Sequence, residues 1–130
     1  MSWGFARPLD LRAFKPGEWI VLGEQRYEAR DGQRFHVPEG FITDLASIPA
    51  LLRGLFDQNG ASRQAAVLHD YLYCSQQTTK ARADSLFLEA MEVCGEGAIR
   101  RHLMYAAVYS FGGFYWDSRD GLTAEDFSLS

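Results

Sequence analysis

A chain of 130 residues is long enough for one hydrophobic core and short for two. Its 47% hydrophobic and 23% charged residues are the balance of a folding chain rather than a disordered one. A formal net charge of −4 gives no general attraction to a phosphate backbone, which sets nucleic acid aside as a main partner.

No apolar run reaches the roughly 18–20 residues that span a bilayer. Met1 to Asp10 lacks a basic stretch followed by a long apolar segment, so neither a membrane span nor a signal peptide is expected, and the product is expected to be made in the host cytoplasm and not exported by the usual signal. Cys74 and Cys94 are too few and too far apart for a thiolate zinc site, and are expected as unbridged thiols.

The periodicity divides one domain, 1–130, into three stretches. Residues 1–40 read mainly as strands: Trp19 to Leu22, Arg26 to Arg30 and Gln33 to Val37, forming an antiparallel meander. Asp31-Gly32 between two alternating segments predicts a two-residue type I′ turn, which requires φ > 0 at both central positions. Residues 41–111 read mainly as helices. Ser47 with Pro49 starts a short helix through about Leu55. A longer helix runs from about Ser62 to Cys74, Thr79 caps another from Lys80 to Cys94, and a third spans Ala98 to Phe111. The first two long helices form an antiparallel hairpin. Residues 112–130 read as an irregular aromatic tail, and the whole as α+β, a small antiparallel sheet of three or four strands followed by a three-helix unit.

The residues suited to chemistry lie on the hairpin. His69 and Asp70 are neighbours, so on a helix their side chains diverge by about 100° and serve different tasks. Tyr73 shares the face of His69, and an antiparallel second helix brings Asp84 to His69 across the seam. Such an aspartate fixes the imidazole tautomer and leaves the other ring nitrogen to deprotonate a water, while Asp70 is placed to bind a hard cation. The same residues also read as a buried polar network that pins two helices, since buried polar groups must be satisfied whether or not they catalyse. Thr43, Asp44 and Ser47 read first as turn and cap residues. His36 sits on an expected strand facing either way and, as a lone strand histidine, does not read as a ligand; His102, beside Arg100 and Arg101 near the start of the third helix, reads as a solvated face. Phe111, Phe114, Tyr115 and Trp116 form either a lid over the helical seam or a docking surface.

His69-Asp70-Tyr71-Leu72-Tyr73 with Ala83-Asp84-Ser85-Leu86-Phe87 resembles the H-D-x-x-Y and A-D-x-x-F segments of phospholipase A2 enzymes. That resemblance implies a metal-assisted hydrolase acting on phospholipid, with His69 activating water, Asp70 binding calcium, Tyr73 supporting the network and Asp84 orienting His69. It covers Ala65 to about Cys94. The family's glycine-rich calcium loop and the secreted forms' disulfides have no counterpart here, and the nearest replacement loop, Phe41 to Ser47, offers Asp44 as a carboxylate.

A wider ordered set is similar to the DUF1353 family of phages and prophages: Gly40-Phe41-Ile42-Thr43-Asp44-Leu45-Ala46-Ser47-Ile48-Pro49, Ala66 to Tyr73, Arg82 to Met91, and Met104 to Gly112. This likeness runs from about Gly40 to Trp116 and implies no settled activity. Three functions stand side by side: a phospholipase A2-like hydrolase with calcium, active or degenerate; a virion- or tail-associated module in which the cluster is structural; and a factor that binds a host protein.

Overall fold

The computed structural model describes residues 3–43 and 62–118. The amino-terminal half holds β1 (Gly4–Phe5), β2 (Leu11–Ala13), β3 (Trp19–Val21), β4 (Gln25–Glu28), β5 (Arg34–Val37) and β6 (Ile42–Thr43). Then come α1 (Arg63–Ser75), α2 (Lys80–Val93), α3 (Ala98–Phe111) and α4 (Gly113–Ser118). The fold is mixed α+β. The helix expected between Ser47 and Leu55 lies outside the described residues.

The strands form two antiparallel three-stranded sheets, ordered β1-β4-β5 and β2-β3-β6, rather than one meander. Trp19–Val21 turns away from the strand that follows it and pairs with β2 and β6 instead. In β4 and β5 burial alternates, with Tyr27, Phe35 and Val37 inward and Arg26, Arg34 and His36 outward. His36 therefore lies on the exposed face, opposite Arg26.

The β4–β5 turn is not the expected two-residue type. The Gly32 amide donates to the Ala29 carbonyl at 2.9 Å and the Ala29 amide to the Gln33 carbonyl at 2.8 Å, so Arg30, Asp31 and Gly32 form a three-residue loop. Only Gly32 has positive φ there, at 90°. Asp31 is not left-handed and instead accepts the Gln33 amide through its own carboxylate, which helps hold the turn.

Helix α1 is the centre of the molecule. From Ala65 to Cys74 every residue is buried, because one side meets α2, another β5 and β6, and the end meets α4. A helix enclosed on all sides is ordinarily apolar throughout. This one carries His69 and Asp70 into the core at 0% and 2% exposure, so both must find polar partners there. It ends at Gln76 in the left-handed region, φ 49°, with the Gln76 side-chain amide donating to the Trp116 carbonyl at 2.7 Å. That bond offsets the cost of left-handed backbone at a non-glycine residue.

Helix α2 starts as the sequence predicts, the Thr79 hydroxyl accepting the Arg82 amide. Beyond α3 the described part of the expected irregular tail, as far as Ser118, is helical instead. Gly112 stays right-handed at φ −74° and ψ −12°, with its amide bonded to Val108 and its carbonyl to the Trp116 amide. The chain thus turns at Gly112 from α3 into α4.

Candidate functional site

The α1–α2 seam is closed by a polar cluster centred on Asp84. The His69 Nε2 lies 2.8 Å from Asp84 Oδ1, and the Tyr73 hydroxyl donates to the same oxygen at 2.7 Å. Lys80 Nζ donates to the other oxygen, Oδ2, at 2.8 Å. Burial alone would raise the Asp84 carboxyl, but the hydrogen bonds from His69, Lys80 and Tyr73 outweigh it and hold the group below the usual aspartate value. An ionised carboxylate only accepts, so His69 carries its proton on Nε2, and any proton exchange with a water would run through Nδ1. The Tyr73 phenol is pushed well above its ordinary value by burial and by the adjacent carboxylate, which keeps it a donor.

Local sequence explains each placement. The four-residue step from His69 to Tyr73 stacks their rings, with centroids 4.3 Å apart, and the Phe87 ring of α2 covers the other side of His69 at 4.6 Å. His69, Tyr73 and Asp84 are each 0% exposed. Trp116 of α4 packs edge-on against Tyr73 at 5.1 Å, and Gly112 lies against the Tyr73 hydroxyl where a β-carbon would collide with it. The aromatic run is therefore divided: Trp116 covers the seam, while Phe111 and Phe114 are 72% and 80% exposed.

Lys80 is the residue that sequence reasoning left out. As the first residue of α2 it has the wrong sign for its own helix dipole, and lysine four residues before an acid is the weaker order of that pair. Its environment is supplied by α3, whose Val108 and Tyr109 carbonyls accept from Nζ at 3.0 and 3.1 Å. The spacing to Asp84 was readable in the sequence; the α3 carbonyls, reached only through the fold, were not.

Asp70 points away from this cluster, as neighbours on a helix must. Its Oδ2 accepts the Thr43 hydroxyl at 2.6 Å, with Thr43 also fully buried at the end of β6. The expected partner Asp44 lies outside the described residues. Calcium takes six to eight oxygen ligands. Among the described residues no three carboxylates, imidazoles or thiolates converge on one point. The rest of the Phe41 to Ser47 loop that the calcium reading calls on lies outside the described residues as well.

A groove of about 760 Å³ lies elsewhere, on the β1-β4-β5 sheet, lined by Trp3, Phe5, Arg26, Glu28, Arg34 and His36 among others. None of its lining residues belongs to the His69 cluster. Cys74 and Cys94 form no disulfide, and no helix among the described residues is long and apolar enough to cross a membrane.

Residues 19–108 match DUF1353, described as a protein of unknown function. The chain belongs to this family. The match covers most of both sheets, the whole α1–α2 hairpin and α3 as far as Val108, so the Asp84 cluster lies within it. No curated protein and no solved structure matches the chain.

Proposed function

We propose that this chain is a non-catalytic binding module, in which the phospholipase A2-like constellation is a degenerate site that clamps α1 to α2. Its contact surface is the exposed apolar face of α3 and α4. The observation that carries this reading is the sealing of the cluster: His69 and Asp84 are at 0% exposure beneath Tyr73, Phe87 and Trp116. A general base needs its proton donor within hydrogen-bond reach, and a binding pocket for an acyl chain is concave and open. Ile99, Leu103, Tyr109, Phe111 and Phe114, by contrast, are all exposed on α3 and α4. A protein surface is the partner that fits such a face, be it a virion component or a host protein of a phage-encoded factor.

The hydrolase reading is favoured by one specific feature, the Asp84 oxygen that receives both His69 Nε2 and the Tyr73 hydroxyl. In that reading His69 would take a proton from water at Nδ1 for attack on a phospholipid ester, with calcium expected at Asp70 and Asp44. The two readings separate by incubating the protein with phospholipid vesicles and millimolar calcium and measuring fatty-acid release. A clamp gives no release, and His69→Gln then lowers stability by about 1–3 kcal/mol through an unsatisfied buried partner. Release that His69→Gln abolishes at unchanged stability would overturn the proposal.

A further inference from the structure

Helix α4, Gly113–Ser118, is six residues long and none of them is buried. A helix so short is not stable alone in water, so α4 keeps its form through what it touches. Its ties to α1 lie at Trp116, whose ring meets Tyr73 edge-on and whose carbonyl accepts from the Gln76 side chain at 2.7 Å. The end of α3 is fixed far more firmly. Met104 and Val108 are buried, and Lys80 Nζ holds the Val108 and Tyr109 carbonyls. Between this fixed end and α4 stand Gly112 and Gly113. Nothing lies within 4 Å of a β-carbon at Gly113, so its backbone is free to turn.

Gln76 carries a second, independent signal. Among the described residues it is the one non-glycine with positive φ, at 49°. A left-handed helix end most commonly takes glycine, which meets no steric cost there. Glutamine is the poorer backbone for that position, but its side chain reaches α4 and a glycine would not.

We infer that α4 is a hinged lid over the α1–α2 seam, turning at Gly112 and Gly113 and latched by Gln76 to the Trp116 carbonyl. Closed, it seats Trp116 and Gly112 against Tyr73 and keeps water from the hydroxyl that donates to Asp84. Open, it uncovers Tyr73 from the α4 side, while Phe87 still covers His69 and Lys80 still holds α3. The inference goes beyond the binding-module reading and does not rest on it, because it concerns access to the seam and not what the outer face meets. Exposure of Tyr73 then depends on one side-chain hydrogen bond rather than on unfolding the core.

Hydrogen exchange of the full chain by NMR, over a series of low urea concentrations, tests the lid with Gln76→Glu and Gln76→Gly as variants. An ionised glutamate keeps the length but has no proton to donate, and glycine suits the left-handed backbone, so both variants should fold. A local opening exposes little surface and responds weakly to urea, whereas global unfolding responds steeply. The Trp116 amide and the Tyr73 hydroxyl proton should therefore exchange with a weak urea dependence, and the buried α1 amides with a steep one. Either variant should speed exchange at Trp116 and Tyr73 about three- to tenfold, the factor for one lost hydrogen bond. Three results would overturn the lid: a urea dependence at Trp116 as steep as that of α1; no acceleration in either variant; or acceleration at Trp116 while the Tyr73 hydroxyl proton still exchanges only by global unfolding, which would make α4 a fraying end.

Discussion

Gly112→Ala should destabilise the protein although alanine is the better helix former. A β-carbon at Gly112 would sit 2.5 Å from the Tyr73 hydroxyl and closer still to the Val108 carbonyl oxygen. Helix propensity favours the change by about 1 kcal/mol. Against this, overpacking a filled site costs about 1–3 kcal/mol. Displacing Tyr73 also weakens its bond to the ionised Asp84, where a bond to a charged group contributes about 1.5–3 kcal/mol. The net is a loss of about 2–4 kcal/mol. Gly113→Ala is the control, because nothing lies within 4 Å of a β-carbon there and φ is not positive. It should hold stability or raise it by up to about 1 kcal/mol. Urea unfolding of both variants beside the parent measures the difference. If Gly112→Ala proved as stable as Gly113→Ala, the close approach of α4 to Tyr73 would be wrong, and with it the sealing of the seam.

Three other outcomes follow from the same geometry. Lys80→Met should cost about 3 kcal/mol in urea unfolding, near the value for breaking a buried ion pair, whereas a surface i,i+4 pair would lose only about 0.3–0.5 kcal/mol. Stability should fall at both ends of the pH scale. The depressed Asp84 carboxyl contributes stability that is complete above the unfolded value near 4 and lost as pH drops through its folded value; the raised Tyr73 phenol contributes stability that is complete below about 10 and lost above it. Melting temperatures unchanged between pH 10 and 11.5 would contradict the buried phenol. Gly32→Val should lower the melting temperature because Gly32 holds φ at 90°, while Asp31→Gly should cost more than a type I′ turn predicts, since Asp31 is not left-handed and its carboxylate accepts the Gln33 amide.

The helices were legible because their signals are local. The four-residue step from His69 to Tyr73, the Thr79 cap and the glycines Gly95 and Gly97 set the hairpin and its ends, and antiparallel packing then brought Asp84 to His69. The strands were harder. Segments of two or three residues such as β1, β2 and β6 carry no period, and the pairing of Trp19–Val21 with β6 depends on contacts more than twenty residues away. The pair Asp31-Gly32 marks a tight turn correctly but does not distinguish two loop residues from three, because Gly32 supplies the positive φ in both. Gly112-Gly113 reads as a helix end, yet Gly112 is there for its missing β-carbon against Tyr73 rather than for a left-handed turn.

Lys80 also bears on what the Asp84 pair can do. A histidine–aspartate pair alone carries one negative charge, and a proton taken by the histidine balances it. Here Lys80 has already balanced Asp84, and its remaining donors are taken up by two carbonyls of α3. A buried carboxylate is costly unless it is paired and hydrogen-bonded, and Lys80, His69 and Tyr73 together meet that requirement at Asp84. A general base must become cationic in the act of catalysis. On the clamp reading proposed above, the lysine supplies the charge that Asp84 would otherwise draw from a histidine cation formed in catalysis, and this is what weighs against a histidine–aspartate base at this seam.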